Sequence, residues 1–96
     1  MVGTVGLLHL DLAIPQAMSL KDKRRIVKGF KDRLRSRFNV SVAEVDQQDS
    51  RSTAVIGIAV VSNESRFIEQ QIESVLKFMR NDGRFYLGQV DREIFS

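Results

Sequence analysis

Several residue types are missing or scarce in this sequence, and each gap excludes a class of chemistry. The 96 residues contain no cysteine, and His9 is the only histidine. Without cysteine the chain can form no disulfide, no zinc–thiolate centre and no thiol nucleophile. A domain of this size that needs no disulfides fits a reducing compartment, and we therefore expect a cytoplasmic location.

Long hydrophobic runs are also missing. No apolar stretch approaches the roughly 18 residues that a membrane-spanning helix needs, so the sequence predicts no such helix. The apolar residues 1–12 (MVGTVGLLHLDL) have neither a basic segment before them nor a small-residue cleavage site. We expect these residues to form a strand rather than a signal peptide.

Motifs for catalysis and metal binding are equally scarce. His9 has no nucleophile-elbow partner in the sequence, so we expect it to be a packed or edge residue of a strand rather than a general base. There is no second histidine to share a metal ion, no DxDxDG calcium loop and no glycine-rich phosphate loop. The sequence thus predicts no catalytic site, no metal and no cofactor, and a protein that is not an enzyme.

Hydrophobic periodicity divides the chain into six elements. Apolar residues make up 43% of the sequence, which is typical of one folded domain at this length. Runs with a period of two residues, or wholly apolar runs, predict strands, and stripes near the 3.6-residue period predict helices. The predicted order is a strand at 2–12, a helix at 20–38, strands at 40–46 and 53–61, a helix between 63 and 81, and a strand at 84–95.

Two capping patterns set the predicted starts of the helices. Ser19 is an N-cap residue, and Asp22 follows three residues later in the capping-box position. Asn63 is the predicted cap of the second helix, which the segment Asn81–Gly83 is expected to end.

The order βαββαβ predicts a single ferredoxin-like α+β domain over residues 1–96. Right-handed crossovers place the first and third strands side by side in the middle of a four-stranded antiparallel sheet, with both helices on one face. Both alternating residue sets of these two strands are apolar, so one set must face away from the helices. Because a bare apolar sheet face usually marks an interface, we expect a homodimer whose contact residues are Val5, Leu7, Val55, Ala59 and Val61.

The first predicted helix carries an unusual concentration of positive charge. Residues 21–37 contain nine Lys or Arg and two Asp, a net charge of +7, whereas the remaining residues carry −4. Cations crowd the first turn, where the helix dipole disfavours them. We therefore predict an anion-binding ridge that contacts RNA or a ribosomal particle through Lys21, Lys23, Arg24, Arg25, Lys28, Lys31 and Arg35.

Other interpretations of these charges stay open. The basic helix face could be merely solvated, with its cations paired to Glu44, Asp46 or Asp91, or it could contact a small anion or an acidic protein in a dimeric module with no nucleic-acid role. Base stacking on the sheet is disfavoured, because the first and third strands contain no aromatic residue. Of the neighbours Phe85 and Tyr86, one should face the core and the other the dimer interface.

Three sequence blocks carry a resemblance to a known family. SLKDKRR at residues 19–25, RLRSRFNVSVAEVD at 33–46 and AVIGIAVVSN at 54–63 resemble the YlxP-like family of small bacterial proteins, a domain of unknown function. The resemblance runs from the first strand into the second helix. It implies a ferredoxin-like fold and, because genes of the family lie among translation genes, a link to RNA or the ribosome. It brings no known activity or catalytic residues, and only the basic block Lys21, Lys23, Arg24 and Arg25 carries over.

Overall fold

The computed structural model describes residues 3–96. Its six elements follow the predicted order: β1 (Thr4–Ala13), α1 (Leu20–Arg37), β2 (Ser41–Asp46), β3 (Thr53–Ser62), α2 (Ser65–Arg80) and β4 (Tyr86–Phe95). Neither helix of this described part is both long and apolar enough to cross a membrane.

The four strands form one antiparallel sheet in the order β2-β3-β1-β4. Leu8 of β1 lies opposite Ile58 of β3 on one side and opposite Arg92 of β4 on the other. Both helices pack on the same face of this sheet, and the predicted ferredoxin-like α+β fold is therefore confirmed.

The strand and helix ends differ from the predicted ones by one or two residues. The predicted first residue of β1, Val2, lies outside the described residues. The predicted cap of α2 was wrong: the N-cap residue is Glu64, and its side chain makes no capping hydrogen bond. Asn63 instead accepts a hydrogen bond from the Ser62 hydroxyl at 3.4 Å.

The core lies between the helices and one face of the sheet. Phe30 of α1 packs edge to face against Phe85, with 5.1 Å between the ring centroids, so Phe85 is the core member of the Phe85–Tyr86 pair. The other large buried apolar side chains are Leu8, Leu10, Leu12, Ile14, Ile26, Val27, Leu34, Val42, Ile56, Ile58, Val60, Ile68, Ile72, Val75, Leu76 and Met79.

One charged side chain lies within this core. Lys23 has 0% of its surface exposed, and its Nζ donates to Glu44 Oε2 at 2.6 Å. The same ammonium donates to the backbone oxygens of Gln47 at 2.9 Å and Thr53 at 3.2 Å. All three of its N–H bonds are thus used, and they join the first turn of α1 to β2, to the following turn and to β3.

The burial of Lys23 corrects the predicted nucleic-acid-binding set. An ammonium with no solvent exposure and three protein acceptors cannot reach a phosphate, so Lys23 does not belong to that set. Helical geometry gives the reason: Lys23 lies three and four residues before Ile26 and Val27, on the buried side of α1.

We predict that Lys23→Met lowers the free energy of unfolding by about 3 kcal/mol, because the Glu44 carboxylate then loses its cation in a mostly buried position. Urea unfolding followed by circular dichroism measures the change. The exposed Lys21→Met is the control and should change the free energy by less than about 0.5 kcal/mol. A double variant, K23M/E44L, should recover most of the loss. Equal losses for Lys23→Met and Lys21→Met would contradict the buried role.

A second prediction concerns the close approach of β1 to α2. A Cβ atom at Gly6 would overlap Ile68 Cγ2 and lie 3.4 Å from Ile72 Cδ1, and both isoleucines are fully buried. Gly6→Ala should therefore lower the free energy of unfolding by about 1–3 kcal/mol. Gly3→Ala is the control, since a Cβ there meets nothing within 4 Å. A neutral Gly6→Ala would show that α2 can move away from β1 at little cost.

Candidate nucleic-acid interface

The start of α1 is fixed by two hydrogen bonds: the predicted one to the Ser19 cap, and one that Asp22 makes to Met18, one residue before the Ser19 N–H of a capping box. Ser19 Oγ accepts from the backbone N–H of Asp22 at 3.0 Å, and Asp22 Oδ2 accepts from the backbone N–H of Met18 at 3.0 Å. These bonds satisfy two free donors at the helix start. They also fix which positions of α1 face the sheet and which face solvent.

Six cationic side chains occupy the side of α1 away from the core. Lys31 is half-buried and the other five are exposed. Apart from the adjacent Arg24 and Arg25, they are three or four residues apart, so they form a strip about 21 Å long at the helical rise of about 1.5 Å per residue. We call this strip the basic ridge, and its members are Lys21, Arg24, Arg25, Lys28, Lys31 and Arg35.

Half of the basic ridge is paired within α1. Arg25 bonds to Asp22, and Lys28 Nζ lies 3.0 Å from Asp32 Oδ2. The side chains of Arg25 and Lys28 are each 77% exposed, so these ion pairs are worth at most about 1 kcal/mol and leave the cations accessible. Arg35 lies 3.5 Å from Asp32 Oδ1, and it also donates to the backbone oxygen of Val42 at 2.9 Å, at the outer edge of β2.

The other half has no partner within the described part of the chain. Among residues 3–96, no carboxylate or carbonyl lies within bonding distance of the Lys21, Arg24 or Lys31 side chains. Of the three carboxylates that the alternative names as partners of the basic helix, Glu44 binds a cation of α1, the buried Lys23. A fourth carboxylate, Asp82, binds Arg33. Asp46 and Asp91 pair with no cation of α1.

The cations of α1 lower the pKa values of the two aspartates in the same helix. The Met18 backbone N–H and the Arg25 guanidinium hold the pKa of the Asp22 carboxyl below its ordinary value. The Lys28 ammonium, with Arg35 and Lys31 near it, does the same to the pKa of Asp32. Both carboxylates therefore stay ionised to lower pH than usual, and even so they leave the ridge with a net positive charge.

The sheet face that carries no helix has a different character. We call it the open face. The central strands β1 and β3 contribute Val5, Leu7, His9, Asp11, Ala13, Val55, Gly57, Ala59 and Val61, and the outer strands contribute Ser41, Ala43, Val45, Asp46, Tyr86, Asp91, Glu93 and Phe95. All five residues predicted as interface lie on it. Sequence reasoning missed Val45 and Phe95, although alternation from Asp91 through Glu93 to Phe95 indicates the side to which Phe95 points.

The structure also has a groove between the two helices that the sequence did not predict. It has a volume of about 970 Å³, and Phe38 and Phe78 form its apolar wall, with ring centroids 5.7 Å apart. Asp82 holds two of the nearby guanidinium groups, since it bonds to Arg33 and lies 3.1 Å from Arg84. The cations that line the groove are Arg33, Arg37, Lys77 and Arg84. They come from distant parts of the chain, so no sequence spacing reveals them.

Comparisons with known proteins identify the family of the chain. The family model described as "Protein of unknown function (DUF503)" matches residues 5–92. A Bacillus subtilis (strain 168) protein, the uncharacterized protein YlxP, is 35% identical over 75 residues, which cover 78% of this chain and 82% of that protein. The match extends over all six elements, and the chain belongs to the DUF503 family.

Proposed function

We propose that this protein binds RNA or a ribosomal particle through the basic ridge of α1. The observation that supports the proposal is the ridge itself: six cations on one side of a helix, three of them without a protein partner in residues 3–96. Like charges three and four residues apart repel by about 0.2–0.5 kcal/mol per pair. A polyanion would remove this repulsion.

The dimensions of the ridge suit a phosphate backbone. Its cations lie about one helical turn, or about 5 Å, apart along α1. Phosphates of one duplex strand recur about every 3.4 Å along the axis, so a ridge about 21 Å long can meet several of them. Such contacts position the nucleic acid without reading its sequence. The proposal therefore predicts affinity for many RNAs rather than for one sequence.

The open face does not suit RNA. It carries the carboxylates Asp11, Asp91 and Glu93, which repel phosphates. Its central strands offer no aromatic ring on which a base could stack, and its two aromatic residues, Tyr86 and Phe95, lie at opposite ends of β4. Charge thus separates the proposed RNA surface from the sheet.

A second candidate function is the binding of a small anion in the groove between the helices. The groove volume of about 970 Å³ is at the upper end of the range typical of ligand sites, and four cations line it. Arg33 and Arg84 already share Asp82, which leaves Arg37 and Lys77 as the freer groups. This candidate predicts stoichiometric binding of one small ligand with a shallow salt dependence.

RNA binding is tested by measuring the affinity at a series of salt concentrations, for the unmodified chain and for a variant without the three unpartnered cations of the ridge. We expect the purified protein to retain total RNA or ribosomal subunits in filter binding, with an affinity that falls steeply as salt rises. The triple variant K21Q/R24Q/K31Q should bind more weakly, and its plot of log K against log salt should be shallower by about 2–3, because up to three phosphate contacts are lost.

The control is a triple variant with the same change in charge elsewhere. R51Q/R66Q/R80Q removes three exposed cations that lie outside α1, and it should keep the salt slope of the unmodified chain. If both triples weaken binding equally, net charge rather than the ridge is responsible. If the unmodified chain retains no RNA even at low salt, the proposal is wrong and the groove becomes the leading site.

A further inference from the structure

We infer that two copies of this chain pack through their open faces, about a twofold axis that runs parallel to the strands between β1 and β3. The inference goes beyond the proposed RNA binding and does not depend on it. It rests on three features of the open face: its exposed apolar side chains, its size, and the distribution of charge across its rows.

Exposed apolar side chains concentrate on this face. Seven large hydrophobic residues are exposed among the described residues, and five of them belong to the open face. Val61 and Tyr86 are each 67% exposed, and smaller side chains between them, such as Ala59, keep the face flat. The five are Val5, Val45, Val61, Tyr86 and Phe95.

The face is large enough for a stable dimer. Three of its strands have ten residues and β2 has six. At about 3.3 Å per residue and about 4.8 Å between strands, the flat area is roughly 500–600 Å². The solvent-accessible area is larger than this flat area, because side chains project from the sheet. It therefore approaches the roughly 800 Å² that each partner buries in a standard interface. A second copy offers a surface of matching size and flatness.

Charge selects the direction of the twofold axis. Glu93, Leu7, Ala59 and Ser41 form one row across the four strands. The next row begins with Asp91 and ends with Ala43, so in these two rows the β4 side is acidic and the β2 side is uncharged. The carboxylate that β2 places on this face, Asp46, lies farther along the strand, opposite Val55. A twofold axis perpendicular to the strands would place β4 of one copy over β4 of the other, and the carboxylates of Glu93 and Asp91 would then lie near those of the second copy.

An axis along the strands avoids this clash. It keeps each row in place and reverses the strand order, so β4 of one copy lies over β2 of the other. Glu93 and Asp91 then face the edge where Arg35 of the second copy donates to the Val42 backbone oxygen, between the Ser41 and Ala43 rows. Opposite charges meet at the rim. The strands β1 and β3 stack in the centre, which holds Val5, Leu7, Val55, Ala59 and Val61 together with His9 and Asp11.

The first test is the mass in solution. Sedimentation equilibrium over a wide range of concentrations should give twice the chain mass of 10.9 kDa. Val61→Glu should weaken the dimer by at least about 30-fold, because it would bury a charge in the apolar row that Val61 forms with Val5 and Phe95. The matched control is Phe67→Glu, which alters an exposed hydrophobic residue of α2 and should leave the dimer intact. A chain that is monomeric at every concentration, or a Val61→Glu variant that dimerises normally, overturns the inference.

The second test determines the axis. Glu93→Lys and Arg35→Glu should each weaken the dimer by about fivefold, and the double variant E93K/R35E should recover the loss, because the rim pair is restored with reversed signs. With the axis across the strands, Glu93→Lys would relieve the repulsion between carboxylates and tighten the dimer. A tighter Glu93→Lys dimer, or a double variant with no recovery, would rule out the proposed arrangement.

Discussion

A buried ammonium group joins the helical and sheet layers at the start of α1. Lys23 binds Glu44, the Gln47 carbonyl and the Thr53 carbonyl, and these acceptors belong to β2, its turn and β3. Gln47 has a φ of 62°, an uncommon left-handed conformation, in the turn whose carbonyl the ammonium reaches. With Lys23 held inward, helical geometry directs the other cations of the first turns outward.

The surface of the molecule is divided by charge into regions of different chemistry. The outer side of α1 is cationic, and the groove behind it combines arginines with two phenylalanine rings. The opposite face of the sheet exposes apolar side chains and carries carboxylates at Asp11 of β1 and along β4. A modest net charge of +3 therefore conceals strong local fields of both signs.

Sequence reasoning succeeded where periodicity alone decides the structure. Alternation assigned Leu8, Leu10 and Leu12 to one sheet face and Val5 and Leu7 to the other, and the burial of the first set follows that division. The start of α1 was also predictable, because its cap is made by neighbours in sequence.

Lys23 escaped prediction because its three acceptors lie 21 to 30 residues away and meet it only in the folded chain. Its position on the apolar stripe of α1 was nevertheless a usable indication. The groove cations offered no such indication, since they converge from both helices and the segment after α2.

The order β2-β3-β1-β4 also bears on how the chain folds during synthesis, because the first strand completes its pairing only with the last. Until β4 leaves the ribosome, the outer edge of β1 exposes unpaired backbone groups, the kind of edge that invites pairing with other chains.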